Sequence, residues 1–179
     1  TWSWGCRHEG CTLKPRLWRA DQMIAAEHDT LGRFALHFAD GPDGQSPDPL
    51  FTDNHTNRRR LFDAGNETRF VKDAFHEYVV AGNGEAVNPK QTGTKAGLLY
   101  QLKTSAGGQV EVRLRLRSTE TGASDAALGR SFASTMSRRR RGASEYNETT
   151  IAEALPAEQR DIAHRALAGL LWSKQFYHY

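Results

Sequence analysis

Apolar and polar residues alternate with period two along much of the first two-thirds of the chain. Phe34, Leu36 and Phe38 share one face of the run from Arg33 to Ala39, the spacing of a strand with one side buried. Leu98, Tyr100 and Leu102 alternate with Leu99, Gln101 and Lys103. Val110, Val112, Leu114 and Leu116 alternate with Glu111, Arg113, Arg115 and Arg117. Ser105-Ala106-Gly107-Gly108 lies between these two runs as a glycine-bearing turn, so the pattern predicts a β-hairpin with one apolar and one wet face. Arg16–Ala20 and Met23–Glu27, parted by Asp21-Gln22, read as an extended pair, and Leu50–Thr52 as a short strand.

Between these strands the periodicity weakens. Residues 41–49 hold three prolines and two glycines and read as a loop. Val71, Phe75 and Val79 recur at intervals of four, which predicts a short helix within 70–80. Residues 82–95, rich in Gly, Asn, Pro and Thr, read as a long excursion, a type of segment that often carries function.

After Ser118 the pattern changes to period 3.6. A small-residue linker over 119–125 leads to a polar helical stretch over 126–150 and a clearer one over 157–177. In the second, Ile162, Ala166 and Leu170 follow i+4 spacing beside Ala163, Leu167 and Leu171, and Pro156 stands where a first-turn proline belongs. The expected class is α+β: an antiparallel β-sandwich portion followed by two α-helices. An apolar helical stripe needs a partner, and two such helices appended to a sandwich make no self-contained bundle.

Composition narrows the options. The chain has 179 residues, is 38% hydrophobic and 25% charged, and carries a net charge of +3. This is a globular composition with too little charge excess to force a nucleic-acid or membrane partner. No run approaches the ~20 apolar residues of a membrane span. Two cysteines are too few for a disulfide-stapled secreted module. Thr1-Trp2-Ser3-Trp4 opens the chain, and Trp172, Phe176, Tyr177 and Tyr179 crowd its end. Termini are ordinarily polar, so this pattern is expected of an excerpt from a longer protein. No secretory leader is visible, and the cytoplasm is the expected compartment.

Local chemistry is sparse. Cys6, His8 and Cys11 fall short of the four closely spaced ligands of a structural zinc site and read as an ordinary loop with free thiols; a local Cys6–Cys11 disulfide stays open. No metal or other cofactor is expected. Arg58–Arg60 and Arg138–Arg141 are basic runs without interleaved aromatics and read as solvated faces. Asp73 and Glu77 are four apart, the spacing of a surface charge pair on a helix. Asn54, Asn66 and Asn147 head glycosylation sequons, which matter only in a secretory setting. The richest polar segments are Phe51–Asn57 and Val87–Lys95, whose amides and hydroxyls carry both donors and acceptors suited to sugar hydroxyls.

Ordered strings along the chain sharpen this. TWSWG at 1–5, LFTDNHTNRRRLF at 50–62, KDAFHE followed by YVV at 78–80, AVNPKQTGTKAG at 86–97 and ALAGLLWSKQFYHY at 166–179 resemble bacterial members of glycoside hydrolase family 63, relatives of mannosyl-oligosaccharide glucosidase. The resemblance implies the C-terminal part of an N-terminal β-sandwich over 1–118, a linker helix region over 119–155, and over 156–179 the first helix of a truncated (α/α)6 catalytic barrel. It implies an inverting, metal-independent α-glucosidase as the parent, with an oligosaccharide or glucoside substrate and the remainder of the barrel as a partner in cis. It calls for neither nucleic acid nor membrane. No residue here matches the family's general acid or base, so no catalytic role is carried over. Lys174, Gln175, Tyr177 and Tyr179 are implied to border the substrate, with Lys95 reaching across from the sandwich. Two other readings compete: a stand-alone carbohydrate-binding sandwich and an arginine-rich nucleic-acid adaptor.

Overall fold

The computed structural model describes residues 14–120, 126–151 and 154–173. The chain divides into two compact units, residues 1–129 and 130–179. The first contains β1 (Arg16–Ala20), β2 (Met23–His28), β3 (Gly32–Phe38), β4 (Asp48–Thr52), α1 (Arg58–Phe62), α2 (Ala74–Ala81), a 3₁₀ turn (Gly84–Ala86), β5 (Thr92–Gly93), β6 (Lys95–Leu99) and β7 (Leu114–Ser118). The second contains α3 (Arg130–Thr150) and α4 (Ala157–Ser173). The class is α+β, with antiparallel sheets followed by two long helices.

Local chemistry sets the strand pairs. Asp21 and Gln22 link β1 to β2, and Asp21 takes the left-handed conformation (φ 49°) that a tight hairpin turn requires and that aspartate tolerates. Gly32 (φ 80°) admits the chain to β3. The large sheet runs β5-β1-β2-β3-β7, and a small sheet pairs β4 with β6. Ile24 and Phe38 of the large sheet meet Phe51 of β4, with Leu17, Leu36, Ala96 and Leu98 packed around them. The two sheets therefore face each other across one core.

The small sheet is covered on its other side as well. Leu50 packs with Ala74 and Val87, and Phe75, Tyr78 and Leu99 surround that second cluster. Two-sided burial explains why Leu50-Phe51-Thr52 and Leu98-Leu99 are continuous runs that blur the alternation. Strand β5 reaches the large sheet while the adjoining β6 lies in the small one. At this corner a Cβ on Gly93 would lie 2.3 Å from the Thr52 carbonyl oxygen, so only glycine fits.

Two sequence expectations change here. The hairpin expected from 98–103 and 110–117 does not form. Leu98 and Leu99 pair with Pro49 and Asp48, whereas Leu114 and Leu116 pair with Phe38 and Leu36. The two arms enter different sheets because each pairs with a strand distant in sequence: Leu98 packs against the core between the sheets, whereas Leu114 and Leu116 stay exposed on β7. The glycine turn at 107–108 permits local pairing but does not enforce it. The helix expected within 70–80 begins only at Ala74. Before it, the Phe70 carbonyl accepts from Asp53 N–H and Lys72 N–H donates to the His55 carbonyl, so cross-chain bonds claim the backbone that a longer helix would use.

The helices of the second unit hold no buried residue among those described. The Pro156 carbonyl accepts from Arg160 N–H, placing the proline at the mouth of α4. No described helix is long and apolar enough to cross a membrane.

Candidate functional site

The two polar segments singled out by composition meet at the end of the small sheet. Asn54 N–H donates to Thr94 Oγ1 (2.9 Å), and Thr94 N–H donates to Asp53 Oδ1 (3.2 Å). Asn88 N–H donates to the Phe51 carbonyl (2.8 Å), while its side chain donates to the Thr92 carbonyl (2.7 Å). Thr52, fully buried, donates to the Val71 carbonyl (2.8 Å). These amides and hydroxyls thus bond to main-chain groups where the chain leaves regular structure, which local Asn, Asp and Thr side chains do well.

Beside them lies a charged group built around α1. Asn57 caps that helix by accepting from Arg60 N–H (3.2 Å), and the same oxygen accepts from Asn66 Nδ2 (3.1 Å). Its Nδ2 donates to Asp73 Oδ2 (3.1 Å). Arg60 Nη1 spans Asp73 Oδ2 (3.5 Å) and Glu77 Oε1 (3.2 Å). Asp73 Oδ1 is buried and has no hydrogen-bond partner. The pair noticed in the sequence, Asp73 and Glu77, therefore serves one guanidinium. Asp73 precedes the first residue of α2, where a negative charge also meets the favourable end of the helix dipole.

His55 adds an orienting contact. Lys14 Nζ lies 3.3 Å from its Nε2 and Glu67 Oε2 lies 3.1 Å from its Nδ1. An ammonium only donates, so Nε2 is the acceptor and Nδ1–H points to the carboxylate. Sequence inspection missed Arg60, Asn66 and His55 as members of this network. The available signal was Asn57 directly before Arg58-Arg59-Arg60, an N-cap ahead of a helical run.

Among the implied site residues, Lys95 starts β6 at the same end of the small sheet. Its ammonium donates to the Lys72 carbonyl (2.8 Å) and stands 4.9 Å from the centroid of the Phe75 ring. Lys174, Gln175, Tyr177 and Tyr179 lie outside the described residues, as do Cys6, His8 and Cys11. Among the described residues no cluster of three or more His, Cys, Asp or Glu side chains has the arrangement of a metal site.

Two titrating groups lie elsewhere in the first unit. His37 on β3 has its pKa lowered by burial and by the charges of Arg117 and Arg115, and Arg117 Nε–H donates to its Nε2 (3.3 Å). Burial and the nearby Asp40 raise the Tyr100 phenol, whose hydroxyl donates to the Ala39 carbonyl (2.7 Å).

No family model and no solved structure matches the chain. It is similar to the uncharacterized protein YMR196W of Saccharomyces cerevisiae, with 30% identity over an alignment of 204 positions that takes in all of this chain. The chain spans 19% of that protein's length.

Proposed function

We propose that the chain is the scaffold and linker of an inverting α-glucosidase resembling glycoside hydrolase family 63. The observation that carries this reading is the order of its parts. Face-to-face antiparallel sheets come first, then a polar helix, then a helix whose Ile162, Leu170, Leu171 and Trp172 are exposed. That order fits a sandwich leading into a helical barrel whose remaining helices cover α4. The similarity to a far longer yeast protein is consistent with it.

In the whole enzyme one carboxylic acid would protonate the leaving oxygen while a second carboxylate activates water on the opposite face of the sugar. No residue of this chain matches the family's general acid or base, and the Asp73–Glu77 pair is engaged with Arg60. Its contribution at the substrate is the rim: Lys174, Gln175, Tyr177 and Tyr179 after α4, and Lys95 from the small sheet. One N–H of the Lys95 ammonium is held by the Lys72 carbonyl, which leaves two for sugar hydroxyls. No metal takes part, and the enzyme works in the cytoplasm.

The test compares the 179-residue chain with the product of the longest reading frame that contains it. The longer protein should release glucose from α-linked glucosides with inversion at the anomeric carbon, followed by NMR of the first-formed anomer, and the shorter one should release none. Hydrolysis by the shorter chain would remove the scaffold reading. Sugar affinity in the shorter chain with no hydrolysis by the longer would favour a stand-alone binding module.

A further inference from the structure

The two facing sheets are unequal: five strands oppose two. The small sheet covers Ile24 and Phe38, but the β3–β7 side of the large sheet extends beyond it. There an apolar trough of about 750 Å³ opens, lined among others by Leu31, Phe34, Leu102, Val112, Leu114 and Leu116. Leu31, Leu114 and Leu116 are exposed.

The shape of the lining identifies the occupant. One wall carries Leu98, Tyr100 and Leu102, and the other Val112, Leu114 and Leu116. Both sets are alternate residues running along the chain from β6 and into β7, the spacing into which the alternate side chains of a further strand interdigitate. A small-molecule pocket of this size would present a few polar groups to orient its ligand. Here the Tyr100 hydroxyl is already bonded to the Ala39 carbonyl, and the other walls are almost wholly apolar. The similar yeast protein is about five times as long as its matched part, so proteins of this kind have ample chain to supply strands.

We propose that the trough seats one or two additional β-strands, alternating apolar and polar, supplied by the same polypeptide outside these 179 residues. They widen the small sheet across Leu114 and Leu116. This rests on the reading that the chain is part of a longer protein, and is independent of which reaction that protein performs.

The experiment is thiol labelling with a maleimide, read by peptide mass spectrometry, of Leu116→Cys and of Arg33→Cys as a solvent-exposed control on the opposite face. Each variant is made in the 179-residue chain and in the product of the longest reading frame. The thiol at 116 should label freely in the short chain and on the order of 100-fold more slowly in the longer one, as expected for a site opened only by local unfolding. The control thiol should label alike in both. Equal labelling at 116 in both proteins overturns the proposal, as does a reading frame that adds no chain. Protection in the short chain that grows with its concentration assigns the trough to a second copy. Protection in the longer protein that is lost on extracting a bound lipid assigns it to a small apolar ligand, and either result also overturns the proposal. Glucoside hydrolysis is scored separately: protection without hydrolysis keeps the strands and removes the enzyme, and hydrolysis with an unprotected thiol does the reverse.

Discussion

The small sheet and the last helix are both apolar, and they meet opposite fates. Phe51 of β4 is 0% exposed, held between Ile24 and Phe38 on one side while its neighbour Leu50 packs under α2 on the other. In α4, Leu171 is 74% and Trp172 91% exposed, and no described residue of that helix is buried. Apolar side chains give a segment the capacity to be buried, and the surfaces available to it decide whether it is. Strand β4 has a sheet above and a helix below. The described part of this chain offers α4 no comparable cover.

The first consequence is the largest. Phe51→Ala should cost about 3–5 kcal/mol, because it opens a cavity at the point where the two sheets meet. Chemical denaturation followed by far-ultraviolet circular dichroism would measure it, with the loss seen as a lower midpoint. A cost below about 1 kcal/mol, the range of surface substitutions, would mean that the small sheet is not what holds the first unit together.

How far the sequence foretold this difference depends on the range of the interactions involved. Strands β1, β2 and β3 were legible because burial on one face imposes the alternation of Phe34, Leu36 and Phe38 and because Asp21-Gln22 marks the first turn, while the turn at Gly32 emerged only in the structure. The partners of β6 and β7 were not, since Leu98 and Leu116 carry the same alternation whether they pair with each other or with strands far away in sequence. Helix α1 escaped notice because it is a single short turn of mostly polar residues, fixed by Asn57 and tied across to Asp73. At the candidate site, the meeting of the 51–57 and 87–95 segments was legible only as shared composition. That their amides serve the main chain is a fact of tertiary geometry. For α4 the apolar stripe was readable from i+4 spacing, whereas its exposure follows from what the described chain offers to cover it.

A second, smaller effect tests the wet face of the large sheet. His37 gives up its proton more readily in the folded chain than at its ordinary value of 6.5, owing to burial and to Arg117 and Arg115. The unfolded chain therefore binds the proton first as pH falls. The contribution is fully present above about 6.5 and is lost as pH drops toward the depressed folded value. Protonation also removes the acceptor for Arg117 Nε–H. Stability measured from pH 7.5 down to 5 should decline, and His37→Asn should flatten part of that decline. An unchanged slope in the variant would place the titration elsewhere.

The smallest effect bears most directly on α4. In the 179-residue chain, Leu171→Gln together with Trp172→Gln should change unfolding stability by no more than about 0.5 kcal/mol, since neither side chain is buried and glutamine is a good helix former. The same pair should reduce self-association, measured by sedimentation velocity across a range of protein concentrations, because it breaks a contiguous apolar patch of the kind that drives non-specific contacts. In a longer protein whose further helices cover α4, the same two substitutions should cost several kcal/mol, as polar groups placed in a packed interface do. A large loss in the short chain would show that α4 has cover from its own residues and would collapse the contrast with β4. A negligible loss in both proteins would leave α4 exposed even in the larger assembly and would remove the barrel as its partner.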